Sequence, residues 1–360
     1  MHPTPLLEDL KNLLPWNLAR LHCFVSMIFG VLTSGSVQQH QMALGFPLGP
    51  AKTAKKPSKD TSIIARIQSF FRCFTLNYDD IARALIQLSR CQGPYRLALD
   101  RTNWKFGRLH INFLVLAVVV NQTVAFPVLW TILPKAGNSN SAERIDLLQR
   151  FISLFGANSI AEITADREFI GKPWIDFLLV QTIPFIIRIK ENRLVEWGSS
   201  SKNIINFFKH LNGKETREAE FMMDGYRLYF QGARTPTNDL IIVMSNHNKP
   251  NKLLKKYKNR WTIELMFKHL KSNGFNLEDS HLVHLDRLEK LFAVVTFAML
   301  ISYLTGKIQE KIRKTPYKRS VKAPLFSTFR RGFDWLKRLL ITNKSLALKH
   351  FHSLFIKILG

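Results

Sequence analysis

Hydrophobic and polar positions alternate along the chain in two periods, one typical of strands and one of helices. Short apolar runs rich in β-branched residues predict strands, and between them lie two helical stretches, the first with Glu143 three residues after a capping Asn140. Strands that alternate with helices predict an α/β core around a mixed sheet. The predicted strands are 95–99, 110–120, 126–133, 160–164 and 184–189, and the predicted helices are 141–155 and 173–180.

The patterns on either side of this core are mainly helical. Residues 1–49 predict helices, 51–60 a basic linker, and Asn77 caps a helix with Ile81, Leu85 and Leu88 on one face. That helix could be the recognition helix of a helix-turn-helix motif, and it could equally be a plain amphipathic helix. We therefore predict a helical N-terminal region over 1–92, with DNA binding as its function.

The second half of the chain predicts three further parts. Strands at 226–231 and 240–244, separated by a turn, indicate a β-rich insertion over 191–250. A long buried helix at 288–304 would then complete a catalytic core made of 93–190 and 251–305. The last part, 306–360, is predicted to be basic and helical.

Charge is the strongest compositional signal. The 360 residues include 52 Lys and Arg against 26 Asp and Glu, a formal net charge of +26. Such an excess implies a polyanionic partner, with nucleic acid as the first candidate and a ribosomal or membrane-surface role as the alternative. The apolar run at 291–304 is shorter than the roughly 20 residues that cross a bilayer, so we expect no membrane partner. The 3 cysteines form no CxxC pair, which argues against a cysteine zinc site.

One stretch carries the clearest chemical pattern. In a helix over 257–271, Tyr257, Arg260, Glu264 and Lys271 would share a stripe about 60° wide. A carboxylate between two cations and a phenol suits a metal ion beside a phosphate chain, although such charges are more often only solvated. Trp261 borders the stripe and either stacks on an unpaired base or packs against the protein. An adjacent apolar stripe would seat the helix on a core; it consists of Ile263, Met266, Phe267 and Leu270.

Two aspartates follow predicted strands. Asp100 ends one strand in LALDRTNW, and Asp166 follows another in TADREF. Each alone is more often a cap or a turn former. Together with Glu264 they are three acids that would converge, and carboxylates in such a cluster favour a divalent cation such as Mg²⁺.

These three segments, in this order, resemble the DDE transposases of the insertion-sequence-four family over about residues 95–305. The resemblance implies a ribonuclease-H-like mixed-sheet core with a β-rich insertion, flanked by helical regions. It implies that Asp100, Asp166 and Glu264 are catalytic and hold two Mg²⁺ ions, with Mn²⁺ as a substitute. It also implies that Tyr257, Arg260 and Lys271 hold DNA phosphates.

The same resemblance implies cut-and-paste transposition of double-stranded DNA. The partners would be the terminal inverted repeats of the element and the target DNA, held by a homodimer in a prokaryotic, cytoplasmic, nucleoid-associated setting. Two alternatives stay open: a nuclease without strand transfer, and a DNA-binding relative without catalysis. The presence of all three acids favours the enzyme.

Overall fold

The computed structural model describes residues 4–46, 60–213, 215–321 and 323–359. The end of the predicted N-terminal helices, at 47–49, and nearly all of the predicted linker at 51–60 lie outside these ranges. The chain divides into two compact units. The first unit consists of Met1–Cys91, Trp104–Ile111 and Met266–Gly360, and the second of Gln92–Asn103 and Asn112–Leu265.

The helices and strands alternate through the middle of the chain as predicted. The α-helices are α1 Thr4–Leu13, α2 Leu18–Ser34, α3 Gln39–Leu44, α4 Asp60–Cys73, α5 Tyr78–Ser89, α6 Ser141–Phe155, α7 Lys172–Val180, α8 Ile205–Phe208, α9 Leu253–Tyr257, α10 Trp261–Leu270, α11 Leu285–Ile312, α12 Thr328–Thr342 and α13 Lys344–Leu359. The strands are β1 Tyr95–Phe106, β2 Leu109–Asn121, β3 Val124–Ile132, β4 Ile160–Ala165, β5 Phe185–Arg188, β6 Leu194–Trp197, β7 Ser200–Asn203, β8 Thr216–Met223, β9 Tyr226–Arg234, β10 Leu240–Ser245, β11 Tyr317–Lys318 and β12 Ala323–Pro324.

The second unit is built on a mixed sheet with the strand order β3-β2-β1-β4-β5-β10-β9-β8-β6-β7. Strands β1, β4 and β5 run parallel, whereas β10 pairs antiparallel with β5. The strands of the predicted insertion, β6–β10, therefore belong to the same sheet and extend it beyond β5, with β10 next to β5. Helix α6 begins with the capping box of Asn140 and Glu143 that the sequence predicted.

The first unit contains α1–α5 and α11–α13. Helix α11 is longer than the predicted 288–304, and by length and composition it could cross a membrane. Its apolar stretch is 89% buried inside the protein, as expected of a core helix. Asn77 caps α5 as predicted, accepting a hydrogen bond from the backbone of Asp79, and the predicted apolar face is buried.

Two glycines let α12 lie directly against α11. A Cβ atom at Gly332 would overlap the carbonyl oxygen of Ser302, and one at Gly306 would overlap the carbonyl oxygen of Thr328. The two backbones approach so closely that only glycine fits at these positions. This close approach fixes where α12 lies on α11.

We predict that Gly332→Ala lowers the free energy of unfolding by about 2 kcal/mol, because backbone must shift to admit the methyl group. Denaturant unfolding followed by circular dichroism measures the loss. Gly213→Ala is the control, since a Cβ there meets nothing within 4 Å. Equal stability of the two variants would show that the helices can separate without cost.

Two half-buried histidines predict a contribution to stability that is lost in acid. Burial lowers the pKa of His269, which stacks on Phe329, to about 4, and burial also lowers the pKa of His350 to about 4. In the unfolded chain these two histidines have a pKa near 6.5. Between about pH 4 and 6.5 they therefore bind more protons in the unfolded chain than in the folded one. The contribution of these two histidines to stability should therefore be complete above about pH 6.5 and fall as the pH decreases toward 4.

The check is the unfolding free energy at several pH values for wild type and for His269→Gln/His350→Gln. The double variant should show a weaker dependence in this window. His40→Gln, which changes an exposed histidine, should keep the wild-type profile. A double variant with the wild-type slope would contradict the assignment.

Candidate active site

The two aspartates lie side by side because of the register of two parallel strands. The last residue pair between β1 and β4 is Leu99 with Ala165. Asp100 and Asp166 are the residues that directly follow this pair in the chain. Asp166 follows the end of β4, as predicted. The prediction that the first strand ends at Asp100 was wrong: β1 continues to Phe106, since it runs on into a hairpin with its neighbour β2.

Glu264 lies in the first turn of α10. The single helix predicted over 257–271 is in fact α9, a 3₁₀ turn over Lys258–Arg260, and α10, which ends at Leu270 just before Lys271. The apolar stripe is buried as predicted, at Ile263, Met266, Phe267 and Leu270.

Arg260 connects two of the acids. Its Nη1 atom donates to Asp100 Oδ2 at 3.2 Å and its Nη2 atom to Glu264 Oε1 at 2.5 Å. The side chain is only 10% exposed, and Nε has no hydrogen-bond partner among the described residues. The residue predicted to face DNA phosphates therefore neutralises the acids in this structure.

Tyr257 reaches the third acid. Its hydroxyl donates to Asp166 Oδ1 at 3.2 Å. The ring is 8% exposed and packs on Ile186, Val243 and Leu253. Tyr257 thus anchors the end of α9 to the sheet and holds the carboxylate of Asp166 at the same time.

Burial dominates the electrostatics of the cluster. It raises the pKa of Asp100 to about 7; Arg260 opposes this rise, while the charges of Glu168 and Asp166 add to it. Burial also raises the pKa of the Tyr257 hydroxyl. Burial acts to lower the pKa of Arg260, but Tyr257 and the surrounding carboxylates outweigh it and raise that pKa. Arg260 therefore remains a guanidinium cation.

The donor set suits a hard divalent cation. Asp100, Asp166 and Glu264 offer carboxylate oxygens, the ligands that Mg²⁺ prefers. A nearby positive charge favours the ionised form of the half-buried Asp100. Within the described residues, no three His, Cys, Asp or Glu side chains stand as close together as the ligands of one ion. Arg260 lies between two of these acids.

The remaining predicted DNA-binding residues have different surroundings. Trp261 is 51% exposed, so it is not a core residue. Lys271 belongs to the first unit, where its Nζ lies 2.7 Å from Glu278 Oε1 and 5.2 Å from the ring centroid of Trp104.

A second layer of polar contacts supports the aspartates, and the sequence analysis missed it. Arg101 follows Asp100 and donates to both carboxylate oxygens of Glu168, at 2.7 and 3.0 Å. It also donates to the side-chain oxygen of Asn112 at 2.8 Å, and Asn112 is 1% exposed. The ion pair of Arg101 and Glu168 thus connects the residue after Asp100 to the loop after Asp166. The only signal in the sequence was an opposite charge close behind each aspartate.

Arg144 holds the same loop from α6. It donates to the carbonyl oxygens of Ser139, Glu168 and Ile170, the last two at 3.0 and 3.4 Å. Burial lowers the pKa of its guanidinium. The backbone that follows Asp166 is thereby fixed by a cation that is 3% exposed.

The sequence profile of the transposase DDE domain matches residues 92–301, and the chain belongs to this family of transposases. No curated protein sequence matches the chain.

Two solved structures are similar to it at low TM-score. One is a cryo-EM structure of the piggyBac transposase synaptic complex with hairpin DNA, with TM-score 0.46 and 10% identity over 96% of this chain and 77% of that chain. The other is the Endonuclease V of Bacillus subtilis, with TM-score 0.25 and 10% identity over 53% of this chain and 82% of that chain.

The supporting layer predicts a measurable coupling. Arg101→Met should lower the unfolding free energy by about 3 kcal/mol, because it leaves Glu168 without its partner in a largely buried site. In a double-mutant cycle with Glu168→Gln, the coupling energy should exceed about 1 kcal/mol. Denaturant unfolding of the four proteins gives this value.

The matched control is the pair of Arg227 and Glu220, whose side chains are 70% and 39% exposed. Its cycle should give less than about 1 kcal/mol, as surface pairs do. Equal coupling in both cycles would reject a special role for Arg101 and Glu168.

Proposed function

We propose that this chain is the DNA transposase of an insertion sequence of the insertion-sequence-four family. The proposed reaction is metal-dependent hydrolysis of the phosphodiester at the element ends, followed by transfer of the freed 3′-hydroxyl to target DNA. The observation that carries the proposal is that Arg260 bonds Asp100 and Glu264 while Tyr257 bonds Asp166, all within one unit.

The strand arrangement supports a ribonuclease-H-like core. Strands β3, β2 and β1 are followed in the sheet by the parallel strands β4 and β5, and the two aspartates lie where the β1–β4 ladder ends. Strands β6–β10 fall between Asp166 and Glu264 in the chain, at the place where the resemblance implies a β-rich insertion. The proposed domain boundaries remain those of the sequence analysis.

The three carboxylates are the proposed holders of Mg²⁺ or Mn²⁺, two ions per site. When bound, such cations stabilise charge on a reacting phosphodiester and favour an oxygen nucleophile at neutral pH. The protein's own contribution is to hold the acids: β1 and β4 place the aspartates in register, and Tyr257 orients Asp166 through its hydroxyl. Arg101 and Arg144 fix the backbone behind them.

Arg260 has two roles in this proposal. Both of its terminal nitrogens bond carboxylates, so it keeps the acids together by supplying positive charge. To contact a DNA phosphate it must release at least one of them, since a guanidinium binds an oxyanion best with two parallel donors. The same cation would thus pass from the acids to the phosphate.

The other proposed DNA contacts are Trp261 and Lys271. Trp261 has an exposed ring in the turn before Glu264, where a base unpaired at the cleaved end could stack on it. Lys271 would exchange Glu278 for a phosphate. The proposed partners are the terminal inverted repeats and target DNA, bound by a homodimer that holds two element ends in the cytoplasm of a prokaryote, at the nucleoid.

We predict that Glu264→Gln reduces DNA cleavage by at least about 100-fold and leaves DNA binding intact. The variant keeps the shape of the side chain but removes the charge that faces Arg260. The measurement is Mg²⁺-dependent cutting of a DNA fragment that carries the gene's own flanking ends.

Asp176→Asn is the matched control, because this acid lies in a surface pair with Lys172. It should cut at the wild-type rate. Cutting by Glu264→Gln at the wild-type rate would remove this residue from the site. Binding without cutting by the wild type would leave a DNA-binding relative as the function.

A further inference from the structure

The first unit contains a basic cleft of about 490 Å³ that the proposed chemistry does not use. It lies between the end of α11, the segment that follows, and α12. Helix α12 contributes a stripe at i, i+3, i+4 and i+7, positions that share one face of a helix: Arg331, Asp334, Trp335 and Arg338. The opposite face is buried, at Phe329, Phe333, Leu336 and Leu340.

Arg331 fixes the shape of this cleft. It donates to Thr315 Oγ1 at 2.7 Å and to the carbonyl oxygens of Gln309 and Arg313. Its side chain is 17% exposed. Because these bonds occupy the guanidinium, Arg331 joins α12 to the segment after α11 and is not the cation that a ligand would meet.

Three other cations line the cleft and are exposed: Arg313, Lys314 and Arg338. Among the residues that the structure describes, no carboxylate forms an ion pair with any of these three side chains. The acid of the cleft, Asp334, accepts a bond from Arg330 Nε at 2.9 Å. The cleft is therefore left with a net positive charge.

Two aromatic rings lie among these cations. Trp335 is half-buried, with its ring centroid 4.6 Å from that of His350, and Phe326 is 48% exposed. Exposed cations along a groove together with aromatic rings are the combination with which proteins bind single-stranded nucleic acid: the cations neutralise phosphates and the rings stack on bases.

We propose that this cleft binds a DNA strand, with phosphates at Arg313, Lys314 and Arg338 and an unpaired base against Trp335 or Phe326. A polyanion is the occupant that this cleft favours, because its exposed cations lie in a chain whose formal net charge is +26. The site adds a DNA contact on the C-terminal helices to those proposed around Glu264. Only the choice of DNA over other nucleic acids rests on the proposed function.

The test is DNA binding by the full chain in EDTA, measured by fluorescence anisotropy with single-stranded and duplex oligonucleotides over a range of salt concentrations. The variant Arg313→Ala/Lys314→Ala/Arg338→Ala should bind at least about tenfold more weakly to the single strand. Its plot of log affinity against log salt should be less steep by about 2, because three phosphate contacts are lost.

The control is Lys190→Ala/Lys202→Ala/Lys209→Ala, which removes the same charge from exposed positions of the second unit. It should keep the wild-type salt slope. An equal loss in both triple variants would mean that only the overall charge matters, and an unchanged affinity in the cleft variant would mean that DNA does not bind there. Either result overturns the proposal.

Trp335 gives a second, independent measurement. Trp335→Ala should weaken single-strand binding by about 5- to 100-fold and duplex binding less, whereas Trp335→Phe should keep most of the affinity. Equal weakening by Ala and Phe would reject stacking. All these measurements are made without divalent cation, so a failure of DNA cleavage would not affect them. If the chain cuts DNA but the cleft variants bind it normally, the cleft proposal is wrong and the proposed function stands.

Discussion

The site depends on one interaction, the guanidinium of Arg260 held between Asp100 and Glu264. Parallel strands bring two aspartates together at the end of a ladder, and burial penalises the charge of Asp100 strongly enough to raise its pKa to about 7. Without a positive charge nearby, the acids would repel one another. Arg260 supplies that charge from the turn before α10, which is why the helix signature and the strand ends belong to one structural unit.

This arrangement explains the spacing of the signature better than an exposed stripe does. Arg260 and Glu264 are one helical turn apart and form an ion pair, and the guanidinium also lies 5.5 Å from the ring centroid of Tyr257. The 3₁₀ turn over Lys258–Arg260 keeps Tyr257 and Arg260 on the buried side of the chain. Packing of Tyr257 on the sheet then fixes the distance of Arg260 and Glu264 from Asp166.

Local patterns were sufficient to predict most elements. The strands before Asp100 and Asp166, the capping box at Asn140, the cap at Asn77 and the apolar stripe of α10 all follow from residues close in sequence. The length of β1 did not, because pairing with β2 beyond Asp100 depends on a neighbour and not on apolar content. The pair of Arg101 and Glu168 was equally hidden, since its members meet only after the sheet has formed. The close approach of Gly332 to α11 is also a property of packing.

Net charge alone is a poor measure of how this chain would bind the DNA that we propose as its partner. Four arginines donate their hydrogen bonds mainly to carboxylates and backbone carbonyls, and none of their side chains is more than 17% exposed: Arg101, Arg144, Arg260 and Arg331. Their role is to hold acids and loops in place, so they cannot release the counterions that give nucleic-acid binding its salt dependence. The cations available to phosphates are the exposed ones, such as Arg313, Lys314 and Arg338. In the proposed reaction Arg260 is the exception that joins the two sets. A ligand that competes for Asp100 and Glu264 would free this buried cation to bind a phosphate.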